Sequence, residues 1–360
     1  MQLGMVKQCS LFLIISFFAV GCAQTKIKFQ YQEKQNSIIW PAPPEVPRYQ
    51  YVGVITGEQN FIKQAGSGGF ARRGINWLGK VIFGEEAPRS LYRPQSGVVD
   101  PENQRLYVTD IGSKAVFVFD MKSKTLHVWE NADQDNSFVS PIGICLMGPN
   151  NVFVSDAELG IVSQFDAEGQ WLAKIDNNSL KRPTGIACDP VKKRIYVADS
   201  QRHLIAVFSE AGKLLFKFGT KGSSEGKFNS PTHLSFANNT LYVSDTLNAR
   251  VQMFDAEGKW LSSFGQRGMY VGNLPRPKGV AVDSENHIYV MESFYDFMLV
   301  FDKTGRPLLP IGGNGSGPGE FYLPAGIWID DSDKIYVADM FNSRVVVFQY
   351  LSEHVNRIRN

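Results

Sequence analysis

A chain of 360 residues is long enough for two or three ordinary domains, or for one large β architecture closed on itself. With 43% hydrophobic and 20% charged residues, its composition excludes disorder and a polytopic membrane protein. A net charge of +2 excludes a bulk field for nucleic acid, while 33 Gly, 18 Pro and 12% aromatic residues favour short strands and tight turns.

At the N-terminus Lys7 precedes an apolar run from Leu11 to Val20, then Gly21 and Cys22. That order is a secretory signal, and the run is shorter than the roughly 20 residues a membrane span needs. Ala19-Val20-Gly21-Cys22 resembles the lipobox of bacterial lipoproteins, departing from it at Ala19, where Leu is usual. The resemblance implies a signal peptide over 1–21 and lipid attachment at Cys22. It also implies an exported protein anchored to a membrane and facing the periplasm or cell exterior, with Ala23 compatible with outer-membrane sorting. Residues 22–48 are polar and then Pro-rich between Trp40 and Pro47, which predicts an extended tether.

From residue 49 one pattern recurs six times: a Pro with a Gly shortly after it, an alternating apolar strand, a turn, then an aromatic-Val-x-acid strand and a strand ending near Phe-Asp. Pro94, Pro141, Pro183, Pro231, Pro277 and Pro324 mark the starts, at intervals of 47, 42, 48, 46 and 47 residues. A period in the forties with four short strands per unit predicts a propeller blade, and six units predict an all-β, six-bladed β-propeller over 49–350. Arg182-Pro183-Thr184-Gly185-Ile186 and the segment Asp245 to Asp255 resemble NHL repeats, a family whose propellers serve as enzymes, RNA binders and scaffolds alike. The sixth unit stops after its third strand, so the strand at 49–57 is expected to complete the last blade and close the ring. Residues 58–93 form an insertion, with a short amphipathic helix predicted near 70–83, and 351–360 a C-terminal tail.

The acids ending the second strands, Asp110, Asp156, Asp199, Asp245, Glu292 and Asp339, form the most regular polar feature. Their presence in every blade points to turn capping rather than to a site. Blade geometry puts the hairpin between strands two and three, and the loop to the next blade, on one face. Lys181, Arg182, Arg202, Lys221, Lys227, Arg250, Arg267, Arg276, Lys278 and Arg344 map there, a mildly basic candidate binding face for an envelope protein or an acidic polysaccharide. The glycine after each proline is Gly97, Gly143, Gly185, Gly279 or Gly326, but His233 in the fourth unit, which marks His233 as a candidate channel residue. One imidazole is not a metal site, and no cofactor or nucleophile motif is present. Cys145 and Cys188 lie one position out of phase in equivalent strands, which predicts opposite faces and two separate core thiols. A binding or scaffold module is therefore expected, with a metal-dependent hydrolase or lyase working near His233 as the alternative.

Overall fold

The computed structural model describes residues 27–35, 38–63, 87–175 and 179–351. The chain divides into two units, residues 1–27 with 63–86 and residues 28–62 with 87–360. The leader, Cys22, the segment near 70–83 and the tail beyond Leu351 lie outside the described residues.

The second unit contains six antiparallel sheets in sequence order. Blade 3 is representative, with strands Pro183–Asp189, Arg194–Asp199, Leu204–Ser209 and Leu214–Phe218 paired in order from the innermost outward. Its second strand is buried from Ile195 to Asp199, whereas the fourth alternates half-buried and exposed. The reason is position: inner strands are covered on both faces by neighbouring blades, and the outer strand forms the rim. Six apolar clusters, each shared by two successive blades, form the core among the described residues. The cluster holding Val345 and Val347 of blade 6 with Leu106 and Phe117 of blade 1 closes the ring.

Closure follows the expected route, with Tyr49–Ile55 pairing antiparallel with Arg344–Tyr350 as the fourth strand of blade 6. The expected tether to Arg48 is corrected. Ile39–Trp40 adds a fifth strand outside Tyr49–Ile55, and Gln32 bridges Val54. The Trp40 ring packs 5.6 Å from Phe348 and lies over Gly319, where a Cβ would sit 2.7 Å from the indole. Ile38, Ile39 and Trp40 supply apolar surface to an otherwise open strand edge, and covering that edge removes a template for aggregation.

Two further expectations are corrected. Cys145 and Cys188 form a disulfide, with Cα atoms 5.7 Å apart. They do point to opposite faces of their own sheets, but successive blades stack face to face, so those faces meet in the cluster between blades 2 and 3. The glycine alignment also shifts: Ser96, not Gly97, pairs with Thr109 as His233 pairs with Ser244, so blades 1 and 4 both depart from glycine. Glycine serves close approach here, since a Cβ on Gly185 would lie 2.6 Å from the His233 Cα in the next inner strand.

Candidate functional site

The ring acids stand where each second strand turns into the third, fully or almost fully buried. Asp110 accepts from the backbone N–H groups of Tyr92, Arg93, Gly112 and Ser113 at 2.7–3.0 Å. Asp156 does the same for Val139, Ser140, Glu158 and Leu159. Asp199 binds Lys181, Arg182 and Arg202 N–H, and Glu292 binds Arg276, Phe294 and Tyr295 N–H. Each acid ties the chain entering its blade to its own hairpin. Burial pushes Asp245, Glu292 and Asp339 above the ordinary carboxylate range, against the hydrogen bonds that lower them.

The basic residues divide into two groups. Arg344 is buried, with its Nε 2.8 Å from Asp339 and its remaining nitrogens donating to the carbonyls of Ser316, Gly317 and Glu320. Arg250 likewise binds Asp245 at 2.9 Å and the carbonyls of Ser224 and Lys227. Both are corrected from binding face to loop scaffold, because a guanidinium has five donors and these loops offer many unsatisfied carbonyls. Arg202 turns to Asp199 and the Ser179 carbonyl, and Arg182 to Glu158 at 2.7 Å. Lys181, Lys221, Lys227 and Arg267 are exposed on the loops. Lys278 lies half-buried on the inner strand of blade 5, its ammonium pushed below the usual lysine range by burial and then by Arg276.

Sequence reasoning missed the apolar component of this face. Met269 and Tyr270 are each 85% exposed, and Val271, Leu247, Phe294, Tyr92, Tyr322 and Phe341 are also exposed. Tyr322 and Phe341 pack 5.5 Å apart, and the Arg93 guanidinium lies 5.1 Å from Phe341 and 5.6 Å from Tyr92. Arg276 lies 5.9 Å from the Phe294 ring. Together these residues make an arc on the long-loop face running from blade 4 through blade 6 to blade 1. A signal was present in the repeat: two residues after each acid stand Gly112, Glu158 and Gln201, then Leu247, Phe294 and Phe341.

His233 is buried between the inner strands of blades 4 and 5. Its Nδ1 lies 2.9 Å from Thr232 Oγ1, which lies 2.6 Å from Thr246 Oγ1, and Thr246 donates to the Pro277 carbonyl. Because a carbonyl only accepts, the donors run outward along the chain: Thr246 to Pro277, Thr232 to Thr246, and Nδ1–H to Thr232. Nε2 therefore carries a lone pair, and it has no partner among the described residues. Burial, and secondarily Lys278, depresses this imidazole to about 3, so it stays neutral. No group of three His, Cys, Asp or Glu that could hold a metal converges among the described residues.

A family model described as a 6-bladed beta-propeller (DUF5128) matches residues 280–359, the fifth and sixth blades. No curated protein matches the chain. Among solved structures, a virginiamycin B lyase from Staphylococcus aureus aligns with a TM-score of 0.57 at 11% identity, covering 91% of this chain and 100% of that one. An auxiliary nutrient binding protein from Bacteroides thetaiotaomicron aligns with a TM-score of 0.57 at 13% identity, over 73% of this chain and 70% of its own. A gluconolactonase from Xanthomonas campestris gives a TM-score of 0.54 at 14% identity, over 72% and 87%. At these identities the likeness is one of architecture: the chain is built as a six-bladed β-propeller, similar in fold to binding proteins and enzymes alike.

Proposed function

We propose that this protein is a binding module of the cell envelope, exported and lipid-anchored at Cys22, which docks a protein partner through its long-loop face. The arc of exposed aromatics and arginines carries the reading. Tyr, Phe, Met and Arg are the residues that interface cores concentrate, while Lys and Glu are depleted there. A patch of this kind on a rigid scaffold supports binding, and Arg93, Arg267 and Arg276 favour a partner with acidic groups. The Cys145–Cys188 disulfide supports an oxidising compartment, as export requires. The nutrient-binding neighbour is compatible with a binding role on the same fold.

The test is photo-crosslinking in cells through a reactive group placed at Tyr270, comparing the native arc with the Phe294→Asp and Arg276→Glu variants. A dominant protein adduct that both variants abolish is the expected result. Crosslinks to an acidic polysaccharide instead would replace the partner class while keeping the face, and background labelling alone would overturn the reading.

The competing reading, a metal-dependent hydrolase or lyase in the channel, is favoured by one observation, the unpartnered lone pair of His233 Nε2. It predicts metal retained at one equivalent by the purified protein and released in His233→Ala. Equal metal content in the two proteins would remove it.

A further inference from the structure

On the opposite face, formed by the first and third hairpins of each blade, lies a cavity of about 750 Å³. One wall is the strap that precedes the closing strand, with Pro41, Pro44 and Val46; the other is blade 5, with His287, Leu308 and Leu309, and Arg48 and Tyr49 stand between them. Its size falls within the range of small-molecule sites.

The imidazole on this wall is held from two sides. His287 Nδ1 lies 2.8 Å from Asp283 Oδ2, and the same carboxylate accepts from Tyr289 OH at 2.8 Å and from the backbone N–H of Glu285 and His287. Asp283 is buried and wholly occupied as an acceptor, so Nδ1 must carry the proton. The Tyr350 ring packs edge-on against the imidazole at 5.4 Å and is itself tied to Glu285. Nε2, at the far side of the ring, has no hydrogen-bond partner among the described residues. In blades 1 and 3 the equivalent position carries a cation already paired with an acid: Arg105 with Asp120 at 3.0 Å and Arg194 with Glu257 at 3.2 Å. Blade 5 departs from that arrangement by turning its basic residue onto its own turn, which leaves the outer nitrogen to the cavity.

We propose that this cavity is a second binding site, taking a small acidic amphiphile whose anionic head meets His287 Nε2 and whose apolar body lies against Leu308, Leu309, Val46 and the strap prolines. Complementarity of charge and surface commits the occupant. The charged and titratable groups around His287 are Asp283 and Glu285 on its hairpin, Tyr289 on its strand, Arg48, Tyr49 and Glu45 on the strap side, Tyr350 from blade 6, and Asp302 on the next hairpin. Asp302 is engaged by Arg306 at 2.9 Å and by Thr304, Glu285 by Tyr350, and Glu45 stands exposed at the rim. The hydrogen bond to Asp283 is the largest influence on His287 and holds it protonated above the ordinary histidine range, so a bound anion is retained to higher pH than a lone histidine allows.

The probe is 8-anilinonaphthalene-1-sulfonate, an anion on an apolar body, titrated by fluorescence into the full chain. One saturable site is expected, displaced by octanoate, with affinity falling as pH rises through the His287 titration. His287→Gln and Leu308→Asp should each weaken it at least about tenfold. His287→Lys should restore binding and abolish the pH dependence. Tyr270→Ser, on the other face, should leave it unchanged, which separates this site from the proposed docking arc. Absence of saturable binding, equal affinity in His287→Gln, or loss in Tyr270→Ser would each overturn the proposal, with circular dichroism reporting that the variants fold.

Discussion

On the long-loop face every blade carries an acid that accepts a backbone N–H from the chain entering that blade, and what varies between blades is the residue two positions later: Gly112, Glu158 and Gln201 in the first half, Leu247, Phe294 and Phe341 in the second. On the hairpin face the second strands of blades 1, 3 and 5 open beside a basic residue, and what varies is its partner, an acid of another hairpin for Arg105 and Arg194 but the same turn for His287. The two faces teach one rule. Residues that repeat around the ring have their hydrogen-bonding capacity used by the fold, because the same geometry recurs six times and selects the same solution. The exposed aromatic arc on one face and the oriented imidazole on the other both stand where a blade departs from the repeat.

Breaking the repeated part should cost most. Asp339→Ala leaves Arg344 buried without its carboxylate, and a loss of about 4 kcal/mol in denaturant unfolding is expected. Removing the disulfide between blades 2 and 3, by Cys145→Ser or by reduction, opens a loop of 43 residues and should lower stability by about 2–4 kcal/mol, read as a shift in the urea midpoint. A smaller, pH-dependent effect sits in the loop between blades 1 and 2. Asp133 caps the N–H groups of Asp135 and Asn136 and meets Lys174 at 3.0 Å, and its carboxyl is held at about 2. A depressed carboxyl stabilises the fold above its unfolded value near 4 and loses that contribution as pH falls toward 2. Asp133→Asn should therefore cost about 1 kcal/mol at pH 7 and much less at pH 2, measured by urea unfolding at both. Least affected should be the departures from the repeat: Met269→Ser with Val271→Ser is expected to change stability by less than about 0.5 kcal/mol while removing the partner crosslinked through position 270. A large loss of stability there would show that the arc belongs to the fold rather than to a surface.

Much of the architecture was readable before any coordinates. The spacing of six prolines predicted the blades, and the missing fourth strand of the last unit predicted its replacement by Tyr49–Ile55. The strap was not readable, because Ile38, Ile39 and Trp40 sit in a segment whose prolines and polar residues spell a spacer, and only the exposed edge of the closing strand gives them something to cover. Arg250 and Arg344 were indistinguishable by charge from Arg267, since what separates them is the number of loop carbonyls within reach. The cysteines are the sharpest case: the alternation argument placed their side chains correctly on opposite faces, and the stacking of blades turned that separation into contact.

What the sequence determined by itself is the blade and the number of blades, since alternation and hairpin capping act within one unit of about 45 residues. The relations between blades were decided by tertiary structure alone: which cysteines meet, which arginines are enclosed, which aromatics remain outside, and where His287 faces a cavity. The physical reason is the range of the forces. Backbone pairing and turn capping are written in neighbouring residues, whereas stacking six rigid sheets around an axis joins side chains far apart in the chain, and one face of a strand reveals its neighbour only once the next sheet is set against it.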